Sequence, residues 1–210
     1  MIYDYPNIDQ PIRQGDIFRN IPRIDYDPDV LDIVNDDESV LRSDWLNIIQ
    51  DRKEYIASIV GMRPVWAIVI SQDCDIVRTD DITLCEINQF KSVAGIPENT
   101  KTSGYVSQIT KYARINQKWF YLPIDEKIGF GEKMAVDFRI VLHISRNYLE
   151  KNLQSLRCGC LIQVAREHFR ERLSEYFRRY AYNEWYALNK SEFEVYKTYN
   201  PDIEPYPWQK

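Results

Sequence analysis

Residues 65–81, VWAIVISQDCDIVRTDD, decide how the rest of the chain is read. The six apolar residues from Val65 to Ile70 fall far short of the roughly 20 a membrane helix needs. They suit a strand buried on both faces. The run then breaks into Ser71, Gln72, Asp73, Cys74 and Asp75, which sets a thiol between two carboxylates where the strand ends. A rigid strand that delivers polar groups to its rim is a place where binding and catalysis concentrate. The expected site is therefore Ser71 to Asp75.

Shorter segments on either side read as partners for that strand. Gln14-Gly15-Asp16 is a turn opening a strand at Ile17–Asn20 that Pro22 closes. Ile82–Ile87 follows the turn at Thr79-Asp80-Asp81, and Tyr105–Ile115 with Trp119–Leu122 reads as a hairpin across Asn116-Gln117-Lys118. Over Met134–Ile144, the residues Met134, Val136, Phe138, Ile140, Leu142 and Ile144 alternate with Asp137, Arg139 and His143, the period of a strand. Short strands joined by turns predict an α+β fold built on a small antiparallel barrel of SH3-like form.

Helical spacing occurs in the insertion and twice in the C-terminal third. Leu41, Trp45, Ile48, Ile49 and Tyr55, capped by Ser43 or Asp44, predict a helical insertion at 28–60. Leu149, Leu153 and Leu156 predict a short helix ending near Gly159. Leu161, Ala165, Phe169, Leu173, Tyr176 and Tyr180 predict a helix over about 163–188. The expected organisation is a barrel domain at 1–145 carrying the insertion, with a helical region at 146–210 packed on it.

The 210 residues are 44% hydrophobic and 28% charged, an ordinary globular composition. No basic flank and apolar core opens the chain, so no secretory signal is expected. Four cysteines are too few for a disulfide scaffold, and a reduced, cytoplasmic protein is expected. The net charge of −5 argues against a general nucleic-acid binder, whose affinity comes from neutralising phosphates. Charge is polarised, however. Residues 25–54 hold ten Asp or Glu against Arg42, Arg52 and Lys53, whereas 163–180 hold Arg166, Arg170, Arg172, Arg178 and Arg179 against Glu167, Glu171 and Glu175. Such polarity suits a protein partner, a second copy of the chain, or RNA.

Two resemblances bear on the fold. Gly15-Asp16-Ile17, then Arg63-Pro64 leading into Val65–Ser71, then a strand ending Glu86-Ile87-Asn88, resembles the core of the PemK/MazF-type growth-inhibitor barrels. In that family the Arg before Pro and a Thr after Ile contribute to RNA cleavage. The resemblance gives Arg63 the first role and puts Asn88 where the Thr would be. Over more of the chain, Gln14-Gly15-Asp16-Ile17, Ser71-Gln72-Asp73-Cys74-Asp75 and REHFRERLSEYFRRY (166–180) resemble a group of bacterial proteins without an assigned activity. The resemblances imply a toxin–antitoxin or phage-defence setting.

The candidate residues carry alternatives. Cys74 could be a nucleophile, with Asp75 and Arg63 beside it, or a packed thiol. Adjacent Asp73 and Asp75 would raise a thiol pKa, so a base such as His143 or His168 would have to arrive through the fold. Asp73 and Asp75 could hold a cation or cap their own turn. Asp16, Ser71, Gln72, Asp73 and Asn88 are the candidate ligand-binding set. Arg166, Arg170, Arg178 and Arg179, interleaved with aromatics, are the candidate RNA-binding set. Cys158-Gly159-Cys160 with Cys74 and Cys85 has the wrong spacing for zinc, and no metal or cofactor is expected. No Walker loop, G-x-G-x-x-G, H-E-x-x-H, G-x-S-x-G or C-x-x-C occurs. The expected function is a non-catalytic binding or assembly subunit. Its rivals are a Cys- or Asp-dependent hydrolase, a divergent ribonuclease, and an RNA-binding module.

Overall fold

The computed structural model describes residues 2–51, 56–94, 118–178, 190–199 and 201–202. The fold is α+β, with a curled antiparallel sheet forming a half-barrel. The strands are β1 (Tyr3–Asp4), β2 (Asp16–Asp25), β3 (Leu31–Val34), β4 (Val40–Ser43), β5 (Ala57–Ile59), β6 (Gly61–Val69), β7 (Asp81–Gln89), β8 (Trp119–Leu122), β9 (Met134–Ser145) and β10 (Arg157–Leu161). The helices are α1 (Trp45–Asp51), α2 (Asp73–Ile76), α3 (Phe90–Ala94), α4 (Arg146–Lys151), α5 (Leu153–Leu156), α6 (Gln163–Phe177) and α7 (Lys190–Tyr199). Among the described residues, seven strands form the main sheet in the order β1-β10-β2-β6-β7-β9-β8, and β4-β3-β5 form a second. The chain divides into two compact units, Met1–Tyr176 and Phe177–Lys210. In the second, helix α7 exposes Val195 and Tyr199.

Strand β6 is central, and its continuous apolar run follows from that position. Val65, Ala67 and Val69 join Phe18, Ile21, Ile82 and Leu84 in one core cluster, closed by Leu149 and Leu156 from α4 and α5. Ile68 faces the opposite way, into a cluster with Ile17, Phe120, Phe138 and Phe169. Helix α6 covers this second face through Ala165, Phe169 and Leu173. The Phe169 ring meets Phe120 at 5.2 Å and Phe138 at 5.9 Å. Burying side chains of this size contributes about 1.5–3 kcal/mol each, so both layers hold the sheet.

Several expectations are corrected. Pro22 does not close β2. It faces Pro64 across the β2–β6 ladder, so two residues lacking N–H sit opposite one another. A register shift between Phe18 and Ile21, with Asn20 at φ 55, absorbs the bend. No helix runs to Gly159. The turns α4 and α5 end at Leu156, and Arg157–Leu161 becomes β10, paired with β1 and β2. Gly159 eases the close pairing there, because a Cβ would lie a tight 3.0 Å from the Asp4 carbonyl oxygen. Helix α6 is described to Phe177, and residues 179–188 of the expected helix lie outside the described residues. The Tyr105–Ile115 strand lies outside the described residues, while Trp119–Leu122 pairs with β9.

The insertion is mainly sheet. Leu31↔Ser43 and Val34↔Val40 form a hairpin, β5 adds to β3, and the one helix among the described residues is the short α1. Leu31 and Ile33 pack on Ile48, an alternation of two that the acidic surroundings disguise.

Candidate functional site

The chain leaves β6 at Val69 and steps onto the single turn α2. Ser71 anchors the step: its Oγ accepts from the Thr83 N–H at 2.8 Å, and its own N–H donates to the Thr83 carbonyl. In one turn of helix, positions three apart share a side. Asp73 and Ile76 therefore share a side of the turn, Ile76 buried and Asp73 exposed but bonded to neighbouring elements. Cys74 is exposed, correcting the expected strand rim to a solvent-facing helical turn. Its Sγ has the Gln72 amide oxygen at 3.8 Å and the Asp75 carboxylate at 3.7 Å, neither of which can serve as an activating cation. His143 Nδ1 lies 3.4 Å from Thr83 Oγ1, and the His168 ring packs on Phe120.

Asp73 is the centre of a joint. Its carboxylate accepts from the Gln14 N–H at 2.8 Å and from Arg170 Nη2 at 2.8 Å. Gln14 Nε2 donates to the Ile70 carbonyl at 2.7 Å, and Arg170 Nε donates to Gln14 Oε1. Gly15 at φ 90 turns the chain so that its N–H meets the Val69 carbonyl and its carbonyl meets the Leu161 N–H. Arg166 lies across Gly15, with Cγ and Cδ 3.5 Å from where a Cβ would stand. The Q-G-D-I, S-Q-x-C-D and Arg-rich segments thus meet at one place.

Asp16 sits behind this joint. Arg157 Nη1 donates to its carboxylate at 3.2 Å, both side chains are only 3% exposed, and the Arg13 N–H also donates to it. Burial pushes the Asp16 carboxyl up to about 6, against the opposing pull of Arg157. Arg157 further donates to the carbonyls of Asn7, Ile8, Gln10 and Pro11, tying the N-terminal segment down. Sequence reading missed Arg157, whose burial depends on residues 141 to 150 positions away.

Arg63 does not join this group. It lies six residues before Val69, roughly 20 Å along β6 at about 3.3 Å per residue. Its guanidinium donates to Glu86 at 3.1 Å and to Asp25 at 2.8 Å, and Arg23 donates to the same two carboxylates. Glu86 is fully buried, so the two arginines supply the compensation a buried carboxylate requires. Asn88 is half-buried two residues further along β7. A similar pair, Asp137 with Arg139 at 2.6 Å, stands on β9.

The arginines of α6 do not form a single face. Arg166 and Arg170 turn toward the joint, Arg172 is buried and bonded to Glu175, and Arg178 is exposed. Arg179 lies outside the described residues. All four cysteines are free. Burial pushes the thiols of Cys85 up to about 12 and Cys160 up to about 11, and raises Cys158. Among the described residues, no group of three or more His, Cys, Asp or Glu could hold a metal ion, and no helix is long and apolar enough to cross a membrane. No family model, curated protein or solved structure matches the chain.

Proposed function

We propose that the protein is a non-catalytic binding or assembly subunit. The supporting observation is the apolar surface of the insertion at 28–60. Val30, Val40, Leu41, Trp45, Leu46, Ile49 and Ile59 are exposed there, with Ile24, Tyr26 and Met62 exposed on the flanking segments. A concentration of large apolar side chains in one short segment is the mark of an interaction surface. The hydrolase reading has no comparable support, since Cys74 is bordered by an amide and a carboxylate. The PemK/MazF-type barrel and its ribonuclease role would need Arg63 free to meet a phosphate, and two carboxylates hold it. A toxin–antitoxin or phage-defence setting, with a partner encoded alongside and met in a reducing compartment, follows from the motif resemblance.

The test is co-expression with the products of neighbouring genes, followed by size-exclusion chromatography with light scattering. A stoichiometric complex is expected, lost when Trp45 and Leu46 are both replaced by Asp. A chain that stays monomeric with every neighbour, and hydrolyses RNA or ester substrates in a Cys74- or Arg63-dependent manner, overturns the reading.

A further inference from the structure

The antiparallel register assigns every residue of the small sheet to a face, because directly opposed residues point the same way. On one face Leu31 and Ile33 pack with Ile48, and Ile56 lies beside them. On the other, Val40, Val34 and Ala57 stand opposite one another across all three strands, forming an apolar rung. The next rung on that face is Arg42, Asp32 and Ile59, in which Arg42 and Asp32 are paired at 2.8 Å. Val40 and Ile59 are 54% and 57% exposed. None of Val34, Val40, Ala57 or Ile59 belongs to a core cluster among the described residues. A sheet needs a second layer on each apolar face, and here one layer is present.

The charge beside this face says what chemistry the missing layer has. The apolar rung ends at the hairpin turn, where Asp36, Asp37 and Glu38 are exposed and form no ion pair among the described residues. The Ser39 hydroxyl and N–H hold the Asp37 carboxyl below the usual range, keeping it ionised. Among the described residues of the face, the one arginine, Arg42, is already satisfied in a bidentate pair with Asp32. Three uncompensated carboxylates at one end of an apolar rung match a segment whose apolar side chains are flanked by Lys or Arg.

We propose that the Val34–Val40–Ala57–Ile59 face docks a basic amphipathic segment of a partner protein, its apolar side chains over the valine rung and its cations against Asp36, Asp37 and Glu38. This rests on the assembly reading above and specifies the partner's chemistry. The occupant is a different chain, because a second copy would bring the same three carboxylates to the same face in a two-fold pairing.

The test uses the full chain and two probes: a blocked peptide of alternating Val and Lys, and its Val and Glu counterpart. Binding is followed by fluorescence polarisation at low and moderate salt. The Val–Lys probe is expected to bind at least tenfold tighter than the Val–Glu probe, to weaken with salt, and to lose at least tenfold in V40K/I59K. A D36N/D37N/E38Q variant should keep the fold and lose the preference for Lys. Equal binding of the two probes, preference for the acidic one, no binding of either, or indifference to both variants overturns the inference. So does concentration-dependent dimerisation of the chain that V40K/I59K abolishes, since the face is then taken by a second copy. The co-expression complex is read separately: if it forms and survives V40K/I59K, the assembly reading stands and this face is not the one used.

Discussion

Replacing Arg23 and Arg63 by Ala, singly and together, tests whether Arg63 is a structural or a catalytic group. The two are direct register partners on β2 and β6, an arrangement in which like charges repel. Glu86 and Asp25 between them convert the repulsion into a closed network. Arg63 is 45% exposed, so solvent screens its contacts, and Arg63→Ala leaves Glu86 paired with Arg23. The single change should cost about 1 kcal/mol. Arg23→Ala should cost slightly more, its side chain being 25% exposed. The double change leaves a fully buried carboxylate with no cation and should cost about 3–5 kcal/mol, more than the two singles combined. For a chain of this size each kcal/mol lowers Tm by about 2–4 °C, so the double variant should melt about 6–20 °C below the parent. Urea unfolding of the four proteins supplies the cycle. Adding Glu86→Gln to the double variant should recover part of the loss by removing the stranded charge. Strictly additive losses refute the network argument. An Arg63→Ala protein of parental stability that has lost an RNA-cleaving activity refutes it more directly and restores the catalytic reading.

Further outcomes follow from the same structure. The Asp16 carboxyl lies at about 6 in the folded chain against 3.8 ordinarily, so the folded state binds the proton more tightly. Its contribution to unfolding free energy therefore falls as pH rises from about 4 to about 6, by up to about 3 kcal/mol, and is constant above that. Asp16→Asn should lack this slope when urea midpoints are compared across the window, and an unchanged slope refutes the assignment. A disulfide-exchange reagent at neutral pH should react promptly with Cys74 in the folded protein, more slowly with half-buried Cys158, and with all four thiols after unfolding; prompt reaction of Cys85 or Cys160 in the folded state contradicts their burial. Gly159→Ala should cost about 2 kcal/mol or more by driving β1 from β10, whereas Gly131→Ala, with open space around it, should change the thermal midpoint by no more than about 2 °C.

The parts of the fold legible in the sequence are those that local pattern determines. A strand buried on both faces needs a continuous apolar run, and Val65–Ile70 supplied one. A helix covering a sheet needs a stripe, and Ala165, Phe169 and Leu173 supplied it. Met134, Val136 and Phe138 occupy the core face expected of them, whereas Leu142 and Ile144, expected on the same face, pack against the other cluster beyond a register shift in the β7–β9 ladder. Strand β10 was not legible because Arg157-Cys158-Gly159-Cys160 contains no alternation, and its closely spaced thiols invite a metal reading instead. The insertion's strands are four, four and three residues long, too short to outweigh helical spacing over 41–55. Arg63 and Arg157 were misjudged or missed for a common reason. The carboxylates and carbonyls they satisfy are distant in sequence, and only the assembled sheet brings them within reach.

The thiol between two carboxylates has an explanation that needs no chemistry at Cys74. The turn α2 must present Asp73 to Gln14 and Arg170 and, three residues on, Ile76 to the core. Those two contacts fix the register of the turn and leave Cys74 and Asp75 exposed. Asp75 contributes through its backbone carbonyl, which accepts from the Arg78 and Thr79 N–H groups and closes the turn. The motif is therefore asymmetric in consequence. Losing the Asp73 carboxylate leaves the Gln14 N–H and Arg170 short of an acceptor at the point where β2, β6 and α6 meet, while losing the Cys74 sulfur removes nothing that another group in the joint depends on. The Q-G-D-I, S-Q-x-C-D and Arg-rich segments converge on Asp73. Their common geometry is the way a strand, a turn and a helix are fastened together, and a recognition surface is better sought on the insertion, where apolar side chains have no such employment.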